Sequence, residues 1–324
     1  MLSKFFFALA LAGVLGSSPA AHAASWPTQS VRLVVPYAPG GIADTIARGV
    51  AERMGESLHQ TVIVENRPGA NGIIAASFVS RTPADGYTLL FASDSINVLN
   101  PLLHKNLSYT FKDSFTTIGE VGASPFALVV NAALPVKNVK QFVEYAKERP
   151  GKLNYASTGI GGAYHLAGEL FADQNGLKLT HIPYKGGSEF VSSLITGETH
   201  AVFGALQTFG PQIAAGKLRA LAIASDSRLA NFPEVPTFAE AGFPNYAAQA
   251  RFGLIAPHGV SPEIVKKLAT ALNHALSDPG FRAPFEQQGM AVRTSTSPEA
   301  YREATESDAK QWSALIHKLK ITLD

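Results

Sequence analysis

Two short runs constrain the fold of this chain more than any others. In each, an apolar strand-like segment breaks at glycines and passes straight into a helix-like segment. Val31–Tyr37 leads through Ala38-Pro39-Gly40-Gly41 into a run that begins at Ile42. Leu153–Ser157 leads through Thr158-Gly159-Ile160-Gly161-Gly162 into a run that begins at Tyr164. Turns of this kind leave backbone N–H groups unpaired at a helix N-terminus, where the helix dipole favours negative charge. Two of them facing each other can hold one small anion, which suits a carboxylate receptor better than a catalyst.

The alternation of strand and helix continues through most of the chain, as expected for a parallel sheet with crossover helices. Strands are expected at Val31–Pro36, Val62–Glu65, Tyr87–Ala92, Phe126–Asn131, Leu153–Ser157, Leu179–Pro183, Ala201–Phe203, Ala220–Ala224 and Gly253–Ala256. Helices are expected at Ile42–Leu58, Ile73–Ser80, Val139–Arg149, Tyr164–Asn175, Glu189–Ile195, Phe209–Ala215, Glu263–Leu276 and Pro298–Leu319. In the first helix Ile42, Ile46, Val50, Met54 and Leu58 recur on one face. The C-terminal part has too few strands for a third domain, so it should pack back on the first. The expected architecture is α/β with two lobes, 24–124 plus 251–324 and 125–250. Two chain crossings join them into a hinged clamshell whose cleft lies at the carboxyl ends of the strands.

Residues 1–23 read as a signal peptide. Lys4 precedes the apolar stretch Phe5–Gly16, and Ala21-His22-Ala23 supplies a small-x-small cleavage pattern. The stretch is shorter than the roughly 20 residues a membrane span needs, so the mature chain should be exported and soluble. There is no cysteine, which excludes disulfides, thiolate zinc sites and cysteine nucleophiles. A chain of about 300 residues buries roughly 75% of its unfolded surface and needs no staple. The formal charge is +2 with no run of Lys or Arg, so nucleic acid is not an expected partner. A monomer is expected.

Enzymatic signatures are weak. Gly159-Ile160-Gly161 starts a dinucleotide fingerprint, but Tyr164 stands where its third glycine belongs. No phosphate-binding Gly-x-x-x-x-Gly-Lys-Ser/Thr and no Gly-x-Ser-x-Gly nucleophile elbow occurs. A Ser157, His165, Asp173 triad has no support in its spacing, and the nine histidines are scattered. No catalytic residue, metal ligand or cofactor is therefore assigned.

In the first glycine loop Asp44 falls in the first helical turn, where a carboxylate can cap free amides. Beside an anion it would repel, so it should shape the loop or hold a water. In the second loop Ser157 and Thr158 add hydroxyls to the amides of Gly159–Gly162. Well-formed charge-assisted hydrogen bonds contribute about 1.5–3 kcal/mol each.

The run Val35-Pro36-Tyr37-Ala38-Pro39-Gly40-Gly41-Ile42-Ala43-Asp44-Thr45-Ile46-Ala47-Arg48 resembles the opening signature of the Bug receptors, the extracytoplasmic solute-binding proteins of tripartite tricarboxylate transporters. The resemblance continues through Glu65-Asn66-Arg67-Pro68-Gly69-Ala70-Asn71-Gly72, Pro83-Ala84-Asp85-Gly86-Tyr87, His165-Leu166-Ala167-Gly168-Glu169, Ile182-Pro183-Tyr184-Lys185-Gly186, Gly216-Lys217-Leu218-Arg219 and Pro233-Glu234-Val235-Pro236-Thr237. It implies a type II periplasmic-binding-protein clamshell, periplasmic once cleaved near Ala23, that captures a small carboxylate and delivers it to membrane transporter subunits. A receptor presenting its ligand to a sensor kinase ectodomain is the alternative role. By position, Tyr37, Ala38, Pro39, Gly40, Gly41 and Asp44 form one arm of a pincer on the carboxylate. Ser157, Thr158, Gly159, Gly161 and Gly162 form the other.

The chain departs from its relatives at two positions. Gly204 replaces an aspartate that many of them carry, and Arg251 stands where many have tryptophan. Losing an acid and gaining a base shifts the distal pocket toward a second negative group, with Arg251 pairing a distal carboxylate. The alternatives are an Arg251 that points to solvent at the hinge, and a Gly204 that makes room for an aromatic ring. A dicarboxylate or aromatic carboxylate is favoured, and an amino acid disfavoured because no group is evident to compensate its ammonium.

Overall fold

The computed structural model describes residues 26–184, 187–287 and 289–323, so the expected leader lies outside the described residues. Ten strands are described: β1 (Val31–Val35), β2 (Val62–Asn66), β3 (Thr88–Ser93), β4 (Phe115–Asn131), β5 (Asn154–Ser157), β6 (Thr180–Pro183), β7 (Ala201–Ala205), β8 (Leu218–Ile223), β9 (Gln249–Pro257) and β10 (Ala291–Val292). The helices are α1 (Ile42–Leu58), α2 (Ile73–Val79), α3 (Asn100–Leu103), α4 (Phe111–Ser114), α5 (Val139–Lys147), α6 (Ala163–Asn175), α7 (Gly187–Thr196), α8 (Gly210–Ala214), α9 (Pro262–Ser277), α10 (Pro279–Gln287) and α11 (Pro298–Leu319).

The strands run β2-β1-β3-β9-β4-β7-β5-β6, with β8 and β10 also paired to β4. Two parallel sets, β2-β1-β3 and β7-β5-β6, carry the two glycine loops at their carboxyl ends. Between them lie β9 and β4, antiparallel to each other and to their neighbours. The first half of β4 pairs with β9, while the second half pairs with β7 and β8. These two long strands thus carry the chain between the halves of the sheet.

Helices cover both faces of each half, which is why the inner strands β3 and β7 read as nearly unbroken apolar runs. On one face of the first half, Ile46, Val50 and Met54 of α1 and Leu268 and Leu272 of α9 pack on Val31, Leu33 and Phe91. On the other, Ala75 and Val79 of α2 and Tyr301 of α11 pack on Val34 and Leu90. The second half is sandwiched by α5 and α6 on one side and α7 on the other. Helix α11 starts at a Ser297 cap, whose Oγ accepts from the Ala300 amide at 3.1 Å. It is long enough to serve both halves: Tyr301 sits in the first core, and Trp312, Leu315 and Ile316 sit in the second. Val98, Leu99 and Leu103 also pack into the second core, although they fall in the segment expected to belong to the first lobe.

The first half of β4 is the largest element that the sequence pattern conceals. Gly119, Gly122 and Pro125 interrupt it, yet the glycines are there because neighbours approach closely. A Cβ at Gly119 would lie 2.5 Å from Thr296, and one at Gly122 would lie 2.6 Å from the Ala291 carbonyl oxygen.

Candidate ligand-binding site

The two glycine loops converge on one cavity of about 330 Å³, within the usual size range for small-molecule sites. In the first loop, Gly40 adopts φ +87°, a left-handed turn natural to glycine. Its amide donates to Asp44 Oδ2 at 2.9 Å. The same oxygen accepts from Arg48 Nε at 3.0 Å, and Oδ1 accepts from Asn66 Nδ2 at 2.8 Å. Asn66 Nδ2 also donates to the Tyr37 carbonyl at 3.0 Å. Chiefly through Arg48, these partners hold the Asp44 carboxyl down at about 2. Asp44 therefore shapes the loop from behind, and Gly41, Ile42 and Ala43 face the cavity.

Gly41 is the N-cap of α1 and Gly162 that of α6, and neither helix has a side-chain cap. The first intrahelical bonds to these caps come from the Thr45 and Leu166 amides, so the amides before them have no helical partner. The N-terminal residues of both helices line the cavity, with Thr158, Gly162, Ala163 and Tyr164 on the second side. Each helix end carries about half a positive charge, so together they match one carboxylate.

The interior of the second loop is engaged with itself. Gly159 N donates to Ser157 Oγ at 3.1 Å, Gly161 N to His165 Nδ1 at 3.1 Å, and Gly162 N to the Gly159 carbonyl at 3.3 Å. Ser157 is fully buried, and its Oγ lies 2.6 Å from His181 Nε2. His181 and His165 lie against each other, ring centroids 4.0 Å apart and planes tilted by 31°. Burial pushes the two down, to about 4 for His165 and about 3 for His181, which the His165 charge lowers further. Asp173 pairs with Lys318 elsewhere on the helix, so Ser157, His165 and Asp173 form no triad. Ser157, Gly159 and Gly161 build the loop, and the cavity wall is formed by Thr158 and Gly162.

Aromatic side chains make the body of the cavity: Tyr37, Tyr164, Phe190 and Phe252. Tyr37 OH sits 2.6 Å from Ser93 Oγ, and burial pushes its phenol up to about 12. Tyr164 OH accepts from the Ala205 amide at 3.1 Å. That ring lies over Gly204, where a Cβ would come within 2.5 Å of it. The space beside Gly204 is thus filled by Tyr164, not by an open subsite.

Arg251 does not line this cavity; its β9 neighbours Ala250 and Phe252 do. Its guanidinium is buried against Glu120 at 2.9 Å and Asp308 at 2.8 Å, and Glu120 is shared with Arg293 at 2.8 Å. It therefore neither points to solvent nor offers a free fork to a second carboxylate. No Arg, Lys or His is among the described residues lining the cavity.

Sequence reasoning missed Asp94, which follows β3 and is 5% exposed. It lines this cavity and also a second one of about 390 Å³, bounded by Asp226, Asp308 and Trp312. Its Oδ2 accepts from the Arg251 backbone amide at 2.8 Å. Burial, reinforced by the Asp308 charge, pushes its carboxyl up to about 8. The signal was an acid directly after an apolar strand end, in Ser93-Asp94-Ser95.

Comparison with known proteins places this geometry in context. A model of the tripartite tricarboxylate transporter family receptor matches residues 46–321. Protein BugT of Bordetella pertussis is 33% identical over 304 residues, covering 94% of this chain and 93% of that protein. A Rhodopseudomonas palustris protein solved with adipate superposes with a TM-score of 0.82 at 33% identity, over 92% of this chain and 99% of the other. MatC from the same organism, solved with bound malate, gives a TM-score of 0.79 at 28% identity, over 90% of this chain and all of that one.

Proposed function

This chain belongs to the tripartite tricarboxylate transporter receptor family, a family of periplasmic solute-binding receptors, and we propose that it captures a small carboxylate between the N-termini of α1 and α6. The observation that carries this reading is the pair of uncapped helix ends facing one cavity that holds no basic side chain among the described residues. The bound carboxylate takes the amides of the 41–43 turn and those of Ala163 and Tyr164, aided by the Thr158 hydroxyl. The rings of Tyr37, Tyr164, Phe190 and Phe252 enclose an apolar or aromatic body.

The lobes 24–124 plus 251–324 and 125–250 close over the ligand by bending where β4 and β9 pass between them. The closed monomer then docks on the transporter's membrane subunits, after cleavage of the leader near Ala23. Adipate and malate in related structures support the carboxylate class.

Gly41→Val tests the pincer. Gly41 has φ −81° and a Cβ there meets only the Ala38 carbonyl oxygen, at 3.9 Å, so the fold tolerates the change while the side chain enters the cavity. Gly40 and Gly161 are poorer choices because their positive φ makes any side chain strained. A bound carboxylate at a hundredfold excess over Kd stabilises the protein by about 2.7 kcal/mol. Thermal shift should show this with the wild type and lose it in Gly41→Val at unchanged ligand-free Tm. Equal shifts in both proteins would refute the two-helix site.

A further inference from the structure

The charges around Asp94 do not balance. Arg251 and Arg293 are two cations, and Glu120 and Asp308 are the two anions that pair with them. That cluster is neutral without Asp94. Among the described residues, the hydrogen bond to the Asp94 carboxyl is a backbone amide, that of Arg251. Asp94 is thus a surplus acid, almost wholly buried, in the wall of a cavity that presents no base among the described residues. A buried carboxylate whose neighbouring cation, Arg251, is already paired with Glu120 and Asp308 is costly to ionise. A ligand that brings a cation to it relieves that cost, whereas a second carboxylate adds to it.

We propose that Asp94 is a specificity-determining residue that receives an ammonium or other strong hydrogen-bond donor of the ligand. This rests on the small-carboxylate reading of the same site and deepens it. Two helix ends of about +0.5 each and one carboxylate of −1 make a cavity matched to a zwitterion. The favoured ligand is an amino-substituted carboxylate with an apolar body, not a dicarboxylate. The amino compensation that sequence alone did not reveal is supplied from the first half of the sheet. Other charged or titratable groups near Asp94 are Tyr37, Tyr301, Arg251, Asp308 and Glu120. Of these Tyr37 shares the cavity wall, and Tyr301, Arg251, Asp308 and Glu120 do not.

The test uses matched probes in which one carboxylate is replaced by CH2NH3+: succinate and 4-aminobutanoate, adipate and 6-aminohexanoate, terephthalate and 4-(aminomethyl)benzoate. Calorimetric titrations are run on the wild type, Asp94→Asn and Asp94→Ser. Asparagine keeps an acceptor for the Arg251 amide, and serine provides a second variant should asparagine perturb folding. In the pair that fits the cavity, the amino member should bind the wild type at least about tenfold tighter, or about 1.4 kcal/mol. The ratio should fall toward one in both variants. Binding the ammonium also ionises Asp94, so the wild type should release a proton near pH 7, seen as a buffer-dependent heat, and the variants none.

A dicarboxylate that binds the wild type as tightly as its amino partner, with a ratio unmoved by either substitution, would overturn the assignment and leave the receptor reading intact. No heat from any of the six compounds, or from benzoate and hexanoate, would overturn the small-carboxylate reading and this assignment with it.

Discussion

Replacing Arg251 with methionine separates the two roles open to that side chain. If Arg251 is a structural ion, its removal leaves Asp308 without its cation and Glu120 dependent on Arg293, whose side chain is half exposed. Breaking a buried pair by removing one partner costs about 3–5 kcal/mol, because the other charge stays buried and uncompensated. At about 2 °C per kcal/mol for a chain of this size, Tm should fall by roughly 6–10 °C. Adding Asp308→Asn to the same chain removes one stranded acid, so the double variant should lose less than the sum of the single losses, by about 0.5–3 kcal/mol. Circular dichroism melts at pH 7 read the stability, and calorimetry of adipate against hexanoate reads the ligand. The ratio of the two affinities should stay within about twofold of the wild type, a change below 0.5 kcal/mol. An unchanged Tm with a selective loss of adipate binding would refute the argument and return Arg251 to the ligand.

Two further outcomes follow from packing and proton linkage. Gly204→Ala drives a Cβ to 2.5 Å from the Tyr164 ring, so calorimetric melts should show about 1–3 kcal/mol of overpacking destabilisation; a Tm equal to wild type would show that the ring moves freely. The adjoining His165 and His181 have folded pKa values near 4 and 3, below the roughly 6.5 of an unfolded chain. Between those values only the unfolded chain binds their protons. Stability from this source is complete above about pH 6.5 and is lost as pH falls toward 3, by up to about 1.4 kcal/mol per unit for each ring. Asp94, raised to about 8, slopes the opposite way, so the measurement is the difference between wild type and His181→Gln in urea unfolding at pH 7, 6 and 5. A difference that does not shrink with acidification would refute it.

How much of this molecule is legible in its sequence depends on the range over which the causes act. Helices α1 and α6 and the loops before them are visible because their determinants are local: an apolar recurrence, a strand before, glycines between. The same locality makes Asp44 recognisable as a loop-shaping residue, since its partners Gly40 and Arg48 lie within one turn. The first half of β4 is not visible, because the glycines that interrupt its pattern answer to Thr296 and Ala291, far along the chain. α10 hides for a local reason, a proline inside it at Pro284.

Charge is where sequence and structure part furthest. Arg251, read alone, is a base newly placed near a ligand. Its actual partners, Glu120 and Asp308, lie 131 and 57 positions away and look like ordinary surface acids in the sequence. Once they claim Arg251, the cation expected to meet a second carboxylate is already paired, and Asp94 is the acid left over in the cavity wall. A net charge of +2 is readable from composition, but specificity rests on which ions are already paired. Among the described residues of this cavity the surplus is negative, opposite in sign to the one that counting bases predicts. On the proposed assignment, selectivity follows from an arginine outside the cavity wall, because by pairing with Glu120 and Asp308 it leaves Asp94 for the solute.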